Sequence, residues 1–214
     1  MEKDTAHLIA EHLLQIKAIK LQPETPFTWA SGWKSPIYCD NRIALSYPRI
    51  RTYIRQELAK LIEAKFGRPD MIAGVATAAI AQGVLVAEAL GLPFCYVRPT
   101  SKDHGLKNQI EGEVQPNQSC VVIEDLVSTG NSSLQAIEAL KSKGVIVKGM
   151  VSIFTYGFPI AEDNFKNANC ILYSLCNYDT LIEQAKLTGL VKESELKTLL
   201  AWRQHPDKWN TDAK

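Results

Sequence analysis

The sequence predicts an α/β domain in which a parallel sheet is flanked by helices. Two observations carry this expectation. Between Met71 and Phe154, short β-branched runs alternate with segments of helical periodicity, the order that builds parallel strands joined by crossover helices. Val121-Val122-Ile123 is apolar at every position, which suits a strand covered on both faces. A chain of 214 residues can bury a substantial core. It reads as a single domain, 1–214, with its core over about 46–174 and a small hood made from about 1–45 and 175–214.

Each element has its own signal. Leu8, Ile9, Leu13 and Ile16 recur at helical spacing behind a cap at Asp4 or Thr5, predicting a first helix that reaches Ile19. Aromatic and β-branched residues on either side of Ser31-Gly32 predict a short hairpin. Near Ser46 and Pro48 a second helix opens, with Ile50, Ile54, Leu58, Leu61 and Ile62 on its face and Gly67 as its end. Met71 to Val75 is then a strand, Ala79 to Leu90 a helix stopped by Gly91, and Pro93 to Val97 a strand. After a long loop come the strand at Val121, a helix with Leu134, Ile137 and Leu140 on one face, and a stop at Gly144. Val145 to Phe154 is another strand, and Ile171 to Leu175 adds a further one. The tail from Tyr178 to Trp209 reads as helical, with Leu196, Leu199 and Leu200 on one side, packed with the N-terminal segment.

Composition removes several function classes. With 46% hydrophobic and 22% charged residues the chain is globular and not disordered, and a net charge of +1 leaves no footprint for nucleic acid. The opening Met-Glu-Lys-Asp-Thr carries acids where a secretory signal needs an apolar core, and Gln82 and Glu88 interrupt the most apolar stretch. A cytoplasmic protein without a membrane partner is expected. The five cysteines, Cys39, Cys95, Cys120, Cys170 and Cys176, are scattered and mostly flanked by apolar residues, the pattern of buried, reduced thiols. His7 and His12 lie about 140° apart around a helix, too far to share a metal, and read as surface residues.

The chemistry concentrates after Ile123. Glu124 and Asp125 end the apolar run, and two adjacent carboxylates at a buried strand's end are costly unless they meet hydroxyls, a cation or water. Ser128-Thr129-Gly130-Asn131-Ser132 follows, a turn of hydroxyl donors and residues tolerant of unusual backbone angles. A helix starts there, so free N–H groups and the helix dipole can hold a phosphate with the acids one step away. No Gly-Lys-Ser/Thr closes the turn and no Gly-x-Gly-x-x-Gly occurs, so the phosphate donor is not expected to be a nucleoside triphosphate.

Four mostly apolar residues, two acids and a Ser/Thr/Gly turn resemble the phosphoribosyl diphosphate (PRPP) motif of the type I phosphoribosyltransferases. The resemblance implies that fold. It also implies that Glu124 and Asp125 hold the ribose hydroxyls and that Ser128, Thr129, Gly130, Asn131 and Ser132 hold the 5-phosphate, with Leu126 and Val127 completing the PRPP-binding stretch. A second segment, Phe27-Thr28-Trp29-Ala30-Ser31-Gly32-Trp33-Lys34-Ser35-Pro36, is similar to the orotate-recognition segment of orotate phosphoribosyltransferases. It implies orotate binding by Lys34 and Ser128. On its own residues the segment offers two tryptophans beside Lys34 and Arg42, which can stack on a flat anion or simply cover the core.

The loop from Arg98 to Gln118 is long for a compact domain, which points to function, and Arg98, Lys102 and His104 are three potential anion partners at its base. Lys102-Asp103-His104-Gly105 resembles the catalytic loop of the same family, which implies that these three cations meet the PRPP diphosphate and that Lys102 and Asp125 are catalytic. The family resemblance further implies Mg2+ carried by PRPP near Glu124 and Asp125, and a homodimer with shared active sites. The products it implies are orotidine 5-phosphate and diphosphate. The chain departs from the enterobacterial pattern at Ala30, Ala78 and Pro99, where that pattern has lysines, and in Phe154-Thr155-Tyr156-Gly157-Phe158, where it has an arginine.

Overall fold

The computed structural model describes residues 4–29, 31–99 and 109–209. In chain order the elements are α1 (Thr5–Gln15), β1 (Ile19–Leu21), β2 (Phe27–Thr28), β3 (Lys34–Ser35), β4 (Ile37–Cys39), a 3-10 helix (Asn41–Ser46), α2 (Pro48–Phe66), β5 (Met71–Val75) and α3 (Ala79–Leu90). There follow β6 (Phe94–Val97), β7 (Ile110–Glu111), β8 (Ser119–Val127), α4 (Asn131–Ser142), β9 (Ile146–Thr155), α5 (Pro159–Asn167), β10 (Leu172–Asn177), α6 (Tyr178–Leu187) and α7 (Glu193–Gln204).

The main sheet has six strands in the order β10-β9-β8-β5-β6-β7, parallel except for β7, which runs antiparallel on the edge. Strand order reverses at β5: the chain first steps outward to β6, then returns to lay β8, β9 and β10 on the other side. Such a switch leaves a crevice beyond the strand carboxyl ends, where ligands of open α/β sheets bind. All five residues of β5, and Cys120 to Ile123 of β8, are buried, as strands covered on both faces require.

Two smaller antiparallel sheets, β1 with β4 and β2 with β3, come from the first forty residues. The hairpin lies where expected, and Gly32 takes φ 87° at its tip, a left-handed angle that glycine adopts without strain. Behind it stands an aromatic cluster in which Tyr156, Phe158, Tyr178 and Trp202 are buried and Trp29 packs alongside.

Several expectations are corrected. The first helix stops at Gln15, because Lys17 turns through φ 57° and Ile19 pairs with Cys39 as a strand. The tail is two helices parted by Gly189 at φ 70°, and Leu200 points outward at 51% exposure while Leu199 and Trp202 face in. Nor is the stretch after Val97 loop throughout, since Ile110–Glu111 pairs with β6. Both histidines are partly exposed, as surface residues are, and have neighbours: His7 bonds Asp4 and lies 3.5 Å from Glu183, and His12 meets the Tyr53 ring edge-on. The cysteines are free thiols, four buried and Cys39 half-buried. Among the described residues no helix is long and apolar enough to cross a membrane.

Candidate active site

The acidic pair sits inside a strand and not past its end. β8 runs on to Val127 because β9 keeps pairing with it, matching Glu124 with Ser152, Leu126 with Phe154 and Val127 with Thr155. The ladder to β5 on the other side stops at Ile123. Glu124 and Asp125 are thus held rigidly from one edge while the other edge opens into the crevice.

The two carboxylates differ in setting. Glu124 is buried at 5% exposure, where its Oε2 accepts from Ser133 Oγ at 2.9 Å and its Oε1 accepts from the Asp125 N–H at 3.0 Å. Burial, then the neighbouring Asp125 charge, pushes the Glu124 carboxyl well above the usual carboxylate range. Asp125 is also raised, chiefly by burial, but the hydrogen bond from Glu124 and the Arg42 charge oppose that rise. Glu124 is therefore the better proton holder and Asp125 the better anion. Arg42 is itself clamped by Asp40, with contacts of 2.6 and 3.0 Å.

A cavity of about 230 Å³ opens beside this pair, lined by Thr77, Arg98, Glu124, Asp125, Leu126 and Ser132 among others. The α4 N-terminus forms one end of it. Gly130 precedes that helix at φ 80° with no side-chain cap, so the first-turn N–H groups stay available to an anion. A Cβ at Gly130 would lie 2.7 Å from the Phe165 ring, so the turn needs glycine for space as well as for angle. Asn164 of α5 fixes the same turn by donating to the Thr129 carbonyl at 2.9 Å and to Asn131 Oδ1 at 3.3 Å.

A second cavity, about 420 Å³, lies next door between the hairpin and the end of β9, with Thr28, Trp29, Tyr38, Cys39, Ser128 and Tyr156 in its walls. Leu126 lines both cavities. Aromatic rings from three segments, Trp29, Tyr38 and Tyr156, suit a flat ligand.

Of the predicted site residues, Arg98, Glu124, Asp125, Leu126 and Ser132 meet around the first cavity and Ser128 lines the second. Val127 is buried behind them; Thr129, Gly130 and Asn131 form the turn. Arg98 also approaches Glu111 at 3.7 Å. Lys34 stands across the hairpin, donating to Thr28 Oγ1 at 2.8 Å, and is not itself in the cavity wall. Lys102, His104 and Ala30 lie outside the described residues. The sequence reading missed Asn41, Ser133, Asn164 and the ring of Tyr156.

Comparison with known proteins decides the family. A phosphoribosyl transferase domain model matches residues 45–171, more than half of the chain. The orotate phosphoribosyltransferase of Bacteroides thetaiotaomicron is 57% identical over 208 residues, spanning 97% of this chain and 98% of that one. The chain belongs to the orotate phosphoribosyltransferases. The orotate phosphoribosyltransferase of Bacillus subtilis is 52% identical over 200 residues, 94% of this chain and 93% of its own. Among solved structures, orotate phosphoribosyltransferase from Aeropyrum pernix superposes with a TM-score of 0.75 at 26% identity, covering 86% of this chain and 99% of that one. Leishmania donovani UMP synthase superposes with a TM-score of 0.78 at 25% identity, covering 92% of this chain and 42% of that one. As an orotate phosphoribosyltransferase, the chain has the type I fold expected from its acidic motif.

Proposed function

We propose that the chain transfers the 5-phosphoribosyl group of PRPP to the ring nitrogen of orotate, giving orotidine 5-phosphate and diphosphate for pyrimidine nucleotide synthesis. The observation that carries this reading is the adjacency of an acidic, anion-ready cleft and an aromatic pocket with Leu126 in the wall of both. One cavity suits a phosphorylated sugar and the other a flat base, and the sugar carbon that changes partner belongs where they meet.

Each residue then has a role. The α4 N-terminus and the Ser128–Ser132 turn hold the 5-phosphate, and Glu124 and Asp125 accept from the ribose hydroxyls. Arg98, Lys102 and His104 draw the diphosphate, with Lys102 meeting the charge that grows as it leaves. Ser128 and Lys34 address the orotate. No group of three or more His, Cys, Asp or Glu that could hold a metal ion occurs among the described residues. The protein's hard oxygen donors at the site are Glu124 and Asp125, which fits an ion held mainly by substrate phosphates plus one or two carboxylates, as Mg2+ usually is. When bound, Mg2+ would neutralise diphosphate charge. We further assign residues 1–45 and 175–214 to a hood over the site, and infer a cytoplasmic homodimer whose loops serve neighbouring sites.

The test is an ultraviolet assay offering PRPP and Mg2+ with orotate, uracil, adenine or hypoxanthine. Turnover of orotate alone is expected. Product with a purine and not with orotate overturns the substrate assignment, and PRPP binding without turnover of any base overturns the enzyme.

A further inference from the structure

Two consecutive residues of α7 grip both walls of the aromatic cavity. Trp202 is fully buried and donates from its indole Nε1 to the Lys34 carbonyl at 3.2 Å, across 168 positions of sequence. Lys34 pairs directly with Thr28 in the hairpin register, and Thr28 and Trp29 are cavity wall. Arg203 donates from Nε to the Tyr156 carbonyl at 3.2 Å and from Nη2 to the Gly157 carbonyl at 3.3 Å, while its Nη1 lies 3.1 Å from Asp179. Tyr156 is also cavity wall, and its ring packs directly on that of Trp29 with centroids 5.2 Å apart. The Trp202 ring also packs edge-on against both wall rings, 5.7 Å from Trp29 and 5.6 Å from Tyr156.

Simple core packing accounts for the rings but not for the donors. An indole and a guanidinium in sequence, about 100° apart around the helix, each donate to backbone carbonyls of a different segment bordering the cavity. These are the hairpin and the end of β9, two short segments that the main sheet does not join to each other. We propose that Trp202 and Arg203 are positioning residues for the base, fixing how the hairpin and the Tyr156 segment sit against each other around the cavity. The proposal rests on the reading of that cavity as the base pocket. It also gives a use to Arg203, in a chain whose Phe154-Thr155-Tyr156-Gly157-Phe158 stretch has no arginine of its own.

The experiment compares Trp202→Phe, which keeps a ring but loses the N–H, with Arg203→Met and Arg203→Lys. Near-UV circular dichroism reports folding, and KM is measured separately for orotate and PRPP. Trp202→Phe should raise the orotate KM about three- to tenfold, the range for one lost neutral hydrogen bond, with kcat and the PRPP KM within twofold of wild type. Arg203→Met should act in the same direction, and Arg203→Lys should recover part of the loss. Leu200→Ala, on the outer face of the same helix, should change neither constant. An unchanged orotate KM in both Trp202→Phe and Arg203→Met, or parallel rises in both KM values, overturns the clamp. If wild type turns over another base instead of orotate, the substrate assignment fails by itself, and the clamp is judged on that base's KM in the same variants.

Discussion

Asn41 donates from Nδ2 to the backbone carbonyl of Asp125 at 2.8 Å, tying the N-terminal segment to the acidic strand across 84 positions. Asn41 is itself buried, and its Oδ1 accepts from the Cys39 thiol at 3.2 Å. The ladder to β5 has stopped at Ile123, so Asn41 adds a side-chain tie to a stretch of β8 that only β9 still pairs.

Asn41→Ala should therefore cost both stability and substrate. Leaving the Asp125 carbonyl short of a donor should lower unfolding free energy by about 1–3 kcal/mol, and PRPP affinity should fall as the strand edge loosens. Chemical denaturation and PRPP titration check this; a variant with wild-type values in both would make the bond incidental.

Glu124→Gln separates stability from activity. The folded-state pKa of Glu124 is raised, so the native chain holds a proton that the unfolded chain gives up, and stability declines as pH climbs above the ordinary carboxylate range. Glutamine removes that decline. The melting temperature of Glu124→Gln should exceed wild type at neutral pH by about 2–4 °C per kcal/mol relieved, with the gap closing near pH 4. Turnover should drop, because an amide nitrogen cannot accept from a ribose hydroxyl as a carboxyl oxygen can. A gap that does not vary with pH would mean that Glu124 is ionised in the folded free enzyme.

Lys102→Ala probes the loop. If Lys102 meets charge that develops only as diphosphate departs, kcat should fall by about 10² to 10³ while PRPP binding changes far less. Near-normal turnover would reduce the loop to a surface feature.

Shared sites can be tested by mixing. Lys102→Ala and Asp125→Ala, each inactive, are unfolded and refolded together. Random pairing makes about half the dimers mixed, each with one complete site, so activity should return to about a quarter of wild type. Recovery near zero, with mixed dimers shown to have formed, would assign each loop to its own subunit.

The parts of this architecture set by local chemistry were legible in the sequence. Ala79–Leu90 was readable to its ends because Gly91 supplies a left-handed stop, and the Ser31-Gly32 turn announced its hairpin. The full length of β8 was not legible. Glu124 and Asp125 look like strand breakers, and only pairing with β9, a contact between distant residues, keeps them extended. α5 went unread as well, although Pro159 at its first turn was an available signal. Asn41 had no local signal at all, since its partner is a backbone carbonyl. Trp202 did have one: it follows Leu199 by three positions, so the inward face of the last helix was written in the spacing.

Leu126 belongs to both cavities, and that makes it a thermodynamic link between two ligands that need never touch it together. Whichever ligand arrives first restricts the rotamers of this half-buried side chain, at a cost of about 0.5–1 kcal/mol in entropy that the second ligand is then spared. The second should bind about two- to fivefold tighter for that reason, and by linkage the factor must be the same in either order of addition. Leu126→Ala, with no rotamers to lose, should abolish the synergy in a titration of orotate with and without a non-reacting PRPP analogue.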